Sequence, residues 1–130
     1  MRNFLSVPVP DRGCRRVLVG LALAVVAVRQ SQAHAIIMSS EPTEGATVAA
    51  GPVTVTLRYN SRVDRTRSRV LLVGSDGRET PLTVAPEGDP AVLVAQAPAL
   101  APGGWRVRWQ VLALDGHITR GDIRFTVAPR

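Results

Sequence analysis

The whole chain holds two histidines, His34 and His117. His117 closes the triplet Asp115-Gly116-His117, and His34 follows a stretch that reads as a signal-peptide cleavage site. If the chain is cut before His34, that residue offers two nitrogens, its α-amine and ring Nδ1. Both can hold one ion in a small chelate ring. The amine's ordinary pKa is near 8 and imidazole's near 6.5, so a cation can displace their protons at neutral pH. Asp115 and His117 stand at i and i+2, and side chains so spaced leave an extended chain on one face. Gly116 between them permits a bend that aims both at one point. Three nitrogens, one carboxylate and no thiolate suit a tetragonal Cu(II) or Ni(II) centre, with copper highest in affinity for such donors. Zinc accepts the same residue types but prefers a tetrahedral array. Read alone, Asp115-Gly116-His117 is first a surface turn with a local carboxylate–imidazole hydrogen bond, and only second a metal motif. It is the pairing with an N-terminal histidine, an uncommon product of cleavage after small residues, that points to a metal.

The leader decides whether that amine exists. Arg2, Arg12, Arg15 and Arg16 form a positive segment, and Val17 to Val28 is an uncharged apolar run of twelve residues. A membrane-spanning helix needs about 20 apolar residues, so this run matches the core of a signal peptide. Ser31-Gln32-Ala33 places small residues at −3 and −1 before His34. The expected division is therefore 1–33 as a removed signal peptide and 34–130 as one domain. The rival readings are cleavage after Ala35, which would discard His34, and an uncleaved short anchor. Arg15-Arg16 is a weak twin-arginine signal, so Sec and twin-arginine export stay open. Cys14 precedes the apolar run and is not placed as a lipoprotein cysteine would be.

Composition changes once the leader is set aside. The chain has 16 arginines, no lysine and 10 acids, a net charge of +6. Five arginines and one acid fall in the leader, leaving 11 against 9 and a net of +2. The remaining arginines are spread along strands and turns, unlike a phosphate-tracking patch, so no nucleic-acid partner is expected. Cys14 is the only cysteine, so residues 34–130 cannot use disulfides and must rest on a packed core. About 97 residues support one modest domain.

The elements that must position the histidines read as β throughout. Val53–Tyr59 alternates strictly, with Val53, Val55, Leu57 and Tyr59 on one face. Asn60–Arg67 is polar and reads as a loop. Ser68–Val73 is a second β-rich run, closed by the hairpin signal Gly74-Ser75-Asp76-Gly77. Arg78–Val84 returns as its partner, demoted to an edge by Pro81. Ala91–Ala97 and Ile123–Val127 are further strands. Trp105–Val111 alternates with Trp105, Val107, Trp109 and Val111 inward. Ala35–Met38 is a short apolar start, followed by a turn-rich stretch to Gly45, and Met38 is expected in the core. Six or seven short strands between Gly/Pro turns argue for an antiparallel sandwich or Greek-key barrel. No Ser/His/Asp set and no Gly-rich phosphate loop is present.

These residues together resemble the CopC/PcoC family of periplasmic copper-resistance proteins. The resemblance spans essentially all of residues 34–130. It begins at His34-Ala35 and runs through Ser40, Pro42 and Gly45, then Val55, Leu57 and Tyr59. It continues with Pro102-Gly103 ahead of the Trp109 strand and closes on Asp115-Gly116-His117, Gly121, Phe125 and Val127. The resemblance implies an all-β, cupredoxin-like (Ig-like) Greek-key barrel or sandwich of about seven strands. It implies one Cu(II) per chain, held by His34 through amine and ring, by His117 and by Asp115. It further implies a monomeric periplasmic carrier or buffer for copper homeostasis or resistance, not an enzyme, passing copper to a CopD-like inner-membrane importer. The sequence departs from the family pattern at Ser61, where an acid is common, and at Ala113-Leu114, where a Ser often precedes the Asp. It also lacks the Met-rich loop that some members use for Cu(I). Two rivals remain: a histidine-brace copper monooxygenase, and a metal-free Ig-like interaction domain.

Overall fold

A computed structural model describes residues 34–130; the leader expected at 1–33, with its cleavage site, lies outside the described residues. Eight strands form two sheets. In chain order they are β1 (Ile37–Glu41), β2 (Ala46–Val48), β3 (Val53–Tyr59), β4 (Val63–Gly74), β5 (Glu79–Leu82), β6 (Val92–Ala97), β7 (Gly103–Ala113) and β8 (Ile118–Val127). One sheet has the order β1-β3-β6 and the other β2-β8-β7-β4-β5. All neighbours are antiparallel except β2 and β8, which run parallel. A bridge between Val84 and Ala95, with the Ala85 N–H donating to the Val94 carbonyl at 2.8 Å, stitches the sheets along one edge. The all-β Greek-key sandwich is thus as expected, with eight strands against about seven.

Alternation explains the core. Val53, Val55, Leu57 and Tyr59 are all buried, as are Val107, Trp109 and Val111 from the facing sheet. Each such side chain contributes roughly 1.5–3 kcal/mol when taken out of water. Tyr59 and Trp109 meet edge to face with ring centroids 5.5 Å apart. The Tyr59 hydroxyl has no hydrogen-bond partner among the described residues, and burial pushes its phenol pKa up. Trp105 is only partly buried; its indole N–H donates to the Ala101 carbonyl at 2.8 Å. Pro81 lies on β5, an outer strand of its sheet, as a residue without an N–H must.

Four local expectations need correction. The polar stretch Asn60–Arg67 is not all loop: β4 starts at Val63, whose side chain is buried. Its ladder to β7 is interrupted between Asp64 and Arg69, and Asp64 Oδ1 gathers the Thr66 hydroxyl and the Thr66 and Arg67 N–H groups across that bulge. β8 starts at Ile118, five residues before the apolar alternation does. The inward place opposite Trp109 is taken by Gly121, where a Cβ would lie 2.5 Å from Trp109 Cζ2, so a glycine hides the pattern. β2 is three residues long and pairs with the distant β8, too short to show a period. Met38 is not in the core but 65% exposed, because a bulge between Ile37 and Ser39 turns it outward on an edge strand.

Candidate metal centre

The turn between β7 and β8 builds half of the site. The Gly116 N–H donates to the Ala113 carbonyl at 3.0 Å, and the Ala113 N–H to the His117 carbonyl at 2.8 Å. Gly116 has φ +88. This is a three-residue hairpin loop with its left-handed position filled by the residue that tolerates it. The triplet is therefore a tight turn, not the extended stretch that i, i+2 reasoning assumes. Asp115 and His117 still converge, because the carboxylate folds over the turn. Asp115 Oδ1 accepts the His117 N–H at 3.0 Å, and Oδ2 lies 3.0 Å from His117 Nδ1. The His117 N–H, followed by the His117 ring, holds the Asp115 carboxyl below the usual carboxylate range.

His34 enters from the start of the other sheet. The Ile36 N–H donates to Asn60 Oδ1 at 2.8 Å, and the Asn60 N–H returns to the Ile36 carbonyl at 2.9 Å. The Thr119 hydroxyl donates to the carbonyl of buried Ala35 at 2.8 Å, bridging 84 residues of sequence. These clamps set the His34 ring against that of His117, centroids 4.6 Å apart and planes at 72°. One donor atom from each of His34, Asp115 and His117 lies within 4.8 Å of the others. Two nitrogens on one first-row ion sit at most about 4 Å apart, from bonds of ~2.0 Å. Of three donors on one ion at most one pair can stand opposite, and the others sit about 2.8 Å apart from bonds of ~2.0 Å, so the three groups need to close by up to about 2 Å to share an ion.

The expected residues are thus brought together, all at the surface. Asp115 Oδ2 and His117 Nδ1, 3.0 Å apart, have the spacing of two adjacent donors on one ion with bonds of ~2.0 Å. Asn60 and Thr119, which position His34, escaped the sequence reading. Their hydrogen bonds span 24 and 84 residues, and a lone Asn or Thr carries no local signal of that.

Comparison with known proteins identifies the family. The model of the CopC domain matches residues 37–128, which includes Asp115 and His117 and begins three residues after His34. Protein YobA of Escherichia coli K12 is 30% identical over 98 residues, covering 73% of this chain and 79% of its own. Copper resistance protein C of Xanthomonas campestris pv. juglandis is 27% identical over 117 residues, covering 84% and 91%. Among solved structures, CopC from Methylosinus trichosporium OB3b superposes with a TM-score of 0.70 at 34% identity, over 75% of this chain and 96% of that one. PcoC, a methionine-rich copper resistance protein from Escherichia coli, gives a TM-score of 0.58 at 29% identity, over 73% and 99%. The chain belongs to the CopC family.

Proposed function

We propose that this chain, once cut before His34, binds one Cu(II) and acts as a periplasmic copper carrier or buffer. The ligands are the amine and ring of His34, the ring of His117 and the carboxylate of Asp115. The observation that carries the reading is the meeting of three donor groups from opposite ends of the chain within 4.8 Å. Imidazole and carboxylate donors favour Cu(II) over Cu(I), which prefers sulfur. Met38 is the only sulfur-bearing residue from His34 onward, so a methionine-rich Cu(I) site has no material here. Copper supplies no reaction in this reading. The protein's part is to bring Asp115 and His117 together in the β7–β8 turn and to keep His34 in place through Thr119 and Asn60. An exposed site permits release to a partner, and a CopD-like inner-membrane importer suits that role for a monomeric carrier.

The test is equilibrium dialysis of the processed protein against Cu(II), with electron paramagnetic resonance on the loaded sample. One tight equivalent and a tetragonal Cu(II) spectrum are expected. His117→Ala is expected to weaken binding by at least about a hundredfold, as loss of a ligand outweighs the 10–100-fold cost of losing a ligand's supporting partner. Unchanged binding in both His117→Ala and Asp115→Ala would overturn the assignment.

A further inference from the structure

The outward face of the five-stranded sheet carries a feature that the metal centre does not use. Arg69 on β4, Gln110 on β7 and Arg120 on β8 stand side by side as cross-strand neighbours. On the adjacent row stand Leu71, Arg108 and Asp122. Together they line a groove of about 490 Å³. Its charges are unequal in their commitments. Among the described residues Asp122 is the only acid in the lining, and it already serves two cations: Arg108 at 3.0 Å and Arg106 at 3.4 Å. Arg108 is further held by Glu79. Arg120 rests its Nε on Gln110 Oε1 at 2.8 Å, a neutral partner that leaves the charge uncompensated. The Arg69 side chain is exposed and makes no hydrogen bond or ion pair among the described residues.

Two uncompensated guanidinium groups thus flank one amide across three strands, about 9.5 Å apart at the backbone from two strand spacings. Planar guanidinium forks match carboxylates in a bidentate manner. An extended acidic segment presents side chains on one face about 7 Å apart, within reach of both. Leu71 adds an apolar wall for the stem of a glutamate. The undescribed leader cannot be the occupant, because it carries five arginines and one acid. The groove also adjoins the metal centre: Arg120 follows His117 by three residues on β8, about 10 Å along a strand.

We propose that this groove docks an acidic, extended segment of a partner protein and so holds that partner beside the copper end; the copper part of this statement rests on the function proposed above.

The probe is a fluorescent ten-residue peptide of alternating glutamate and serine, added to the processed protein with and without Cu(II). Backbone amide shifts are expected to cluster at residues 69–71, 108–110 and 120–122. The double variant Arg69→Gln/Arg120→Gln is expected to weaken binding at least tenfold. The charge-matched double Arg67→Gln/Arg78→Gln, outside the groove, is expected to change it less than twofold. Raising ionic strength from about 0.01 to about 0.15 M, which shortens the screening length from ~30 to ~8 Å, is expected to weaken the wild-type complex. Equal losses in the two doubles, shifts elsewhere, or no peptide binding at millimolar concentration would overturn the proposal. So would binding to phosphatidylglycerol vesicles, but not to the peptide, that needs Arg69 and Arg120. The two readings fail separately: His117→Ala is expected to lose copper and keep the peptide, and Arg69→Gln/Arg120→Gln to do the reverse.

Discussion

The interior of the sandwich and its metal-centre end obey opposite rules. Inside, Leu57 and Val111 are wholly buried, and Val55, Val70 and Val107 nearly so. At the other region, every exposed large hydrophobic among the described residues belongs to the two segments that carry the candidate ligands. These are Ile36 and Met38 beside His34, and Leu114 and Ile118 beside Asp115 and His117. The interior is closed by packing of many small contributions. The metal end is held by a few hydrogen bonds and one turn. Fold and candidate function are therefore separable: each can be damaged with little harm to the other.

The largest effect that sharpens this contrast is in the interior. Leu57→Ala is expected to cost about 2–5 kcal/mol of stability by leaving a cavity, read from urea or guanidinium denaturation. The molecules that remain folded are expected to keep one Cu(II) site, and loss of copper from a still-folded variant would break the separation. Next comes the clamp between the regions. Thr119→Val removes the hydroxyl that reaches the Ala35 carbonyl and is expected to cost about 0.5–1.5 kcal/mol. It is also expected to lower copper affinity, since His34 loses its tether; a stability loss with unaltered affinity would show that the tether positions nothing.

Asp64 offers a pH-dependent effect on the fold through a group that is not a candidate ligand. The Thr66 hydroxyl, followed by the Arg67 N–H, holds its carboxyl below the ordinary 3.8. A carboxyl whose pKa is lower in the folded chain stabilises the fold above its unfolded value and loses that contribution as pH falls through the folded one. Wild type is therefore expected to exceed Asp64→Asn in stability at neutral pH and to lose that advantage as pH falls below 3.8 and through the lower folded value, with denaturation curves across the acid range as the check. Smallest is His117→Ala, expected to move stability by no more than about 0.5 kcal/mol because it alters an exposed side chain, although it removes a proposed copper ligand.

Much of this was legible in the sequence, for reasons that differ by element. The strands β3, β6 and β7 announce themselves because one face is buried and the other is not. The Asp76-Gly77 turn and the Pro81 edge follow from backbone chemistry. His34, Asp115 and His117 stood out through ligand chemistry and rarity. What stayed hidden depends on distant partners. β2 exists only because β8 lies beside it, and the first half of β8 is disguised by Gly121 under Trp109. The entry to β4 is polar because Asp64 satisfies a bulge from within. Met38 faces outward through a bulge on an edge strand, which hydrophobicity alone assigns to the core. The turn at Asp115–His117 brings its pair together by a carboxylate folded over a loop, which spacing rules for strands do not describe.

The most direct measurement compares Cu(II) affinity of protein that begins at His34 with protein carrying one extra alanine before it. The extension leaves both imidazoles and the Asp115 carboxylate in place and removes only the free amine of His34. The chelate described above requires that the shorter protein bind one equivalent much more tightly, by at least about tenfold, or ~1.4 kcal/mol. Equal affinities would contradict it.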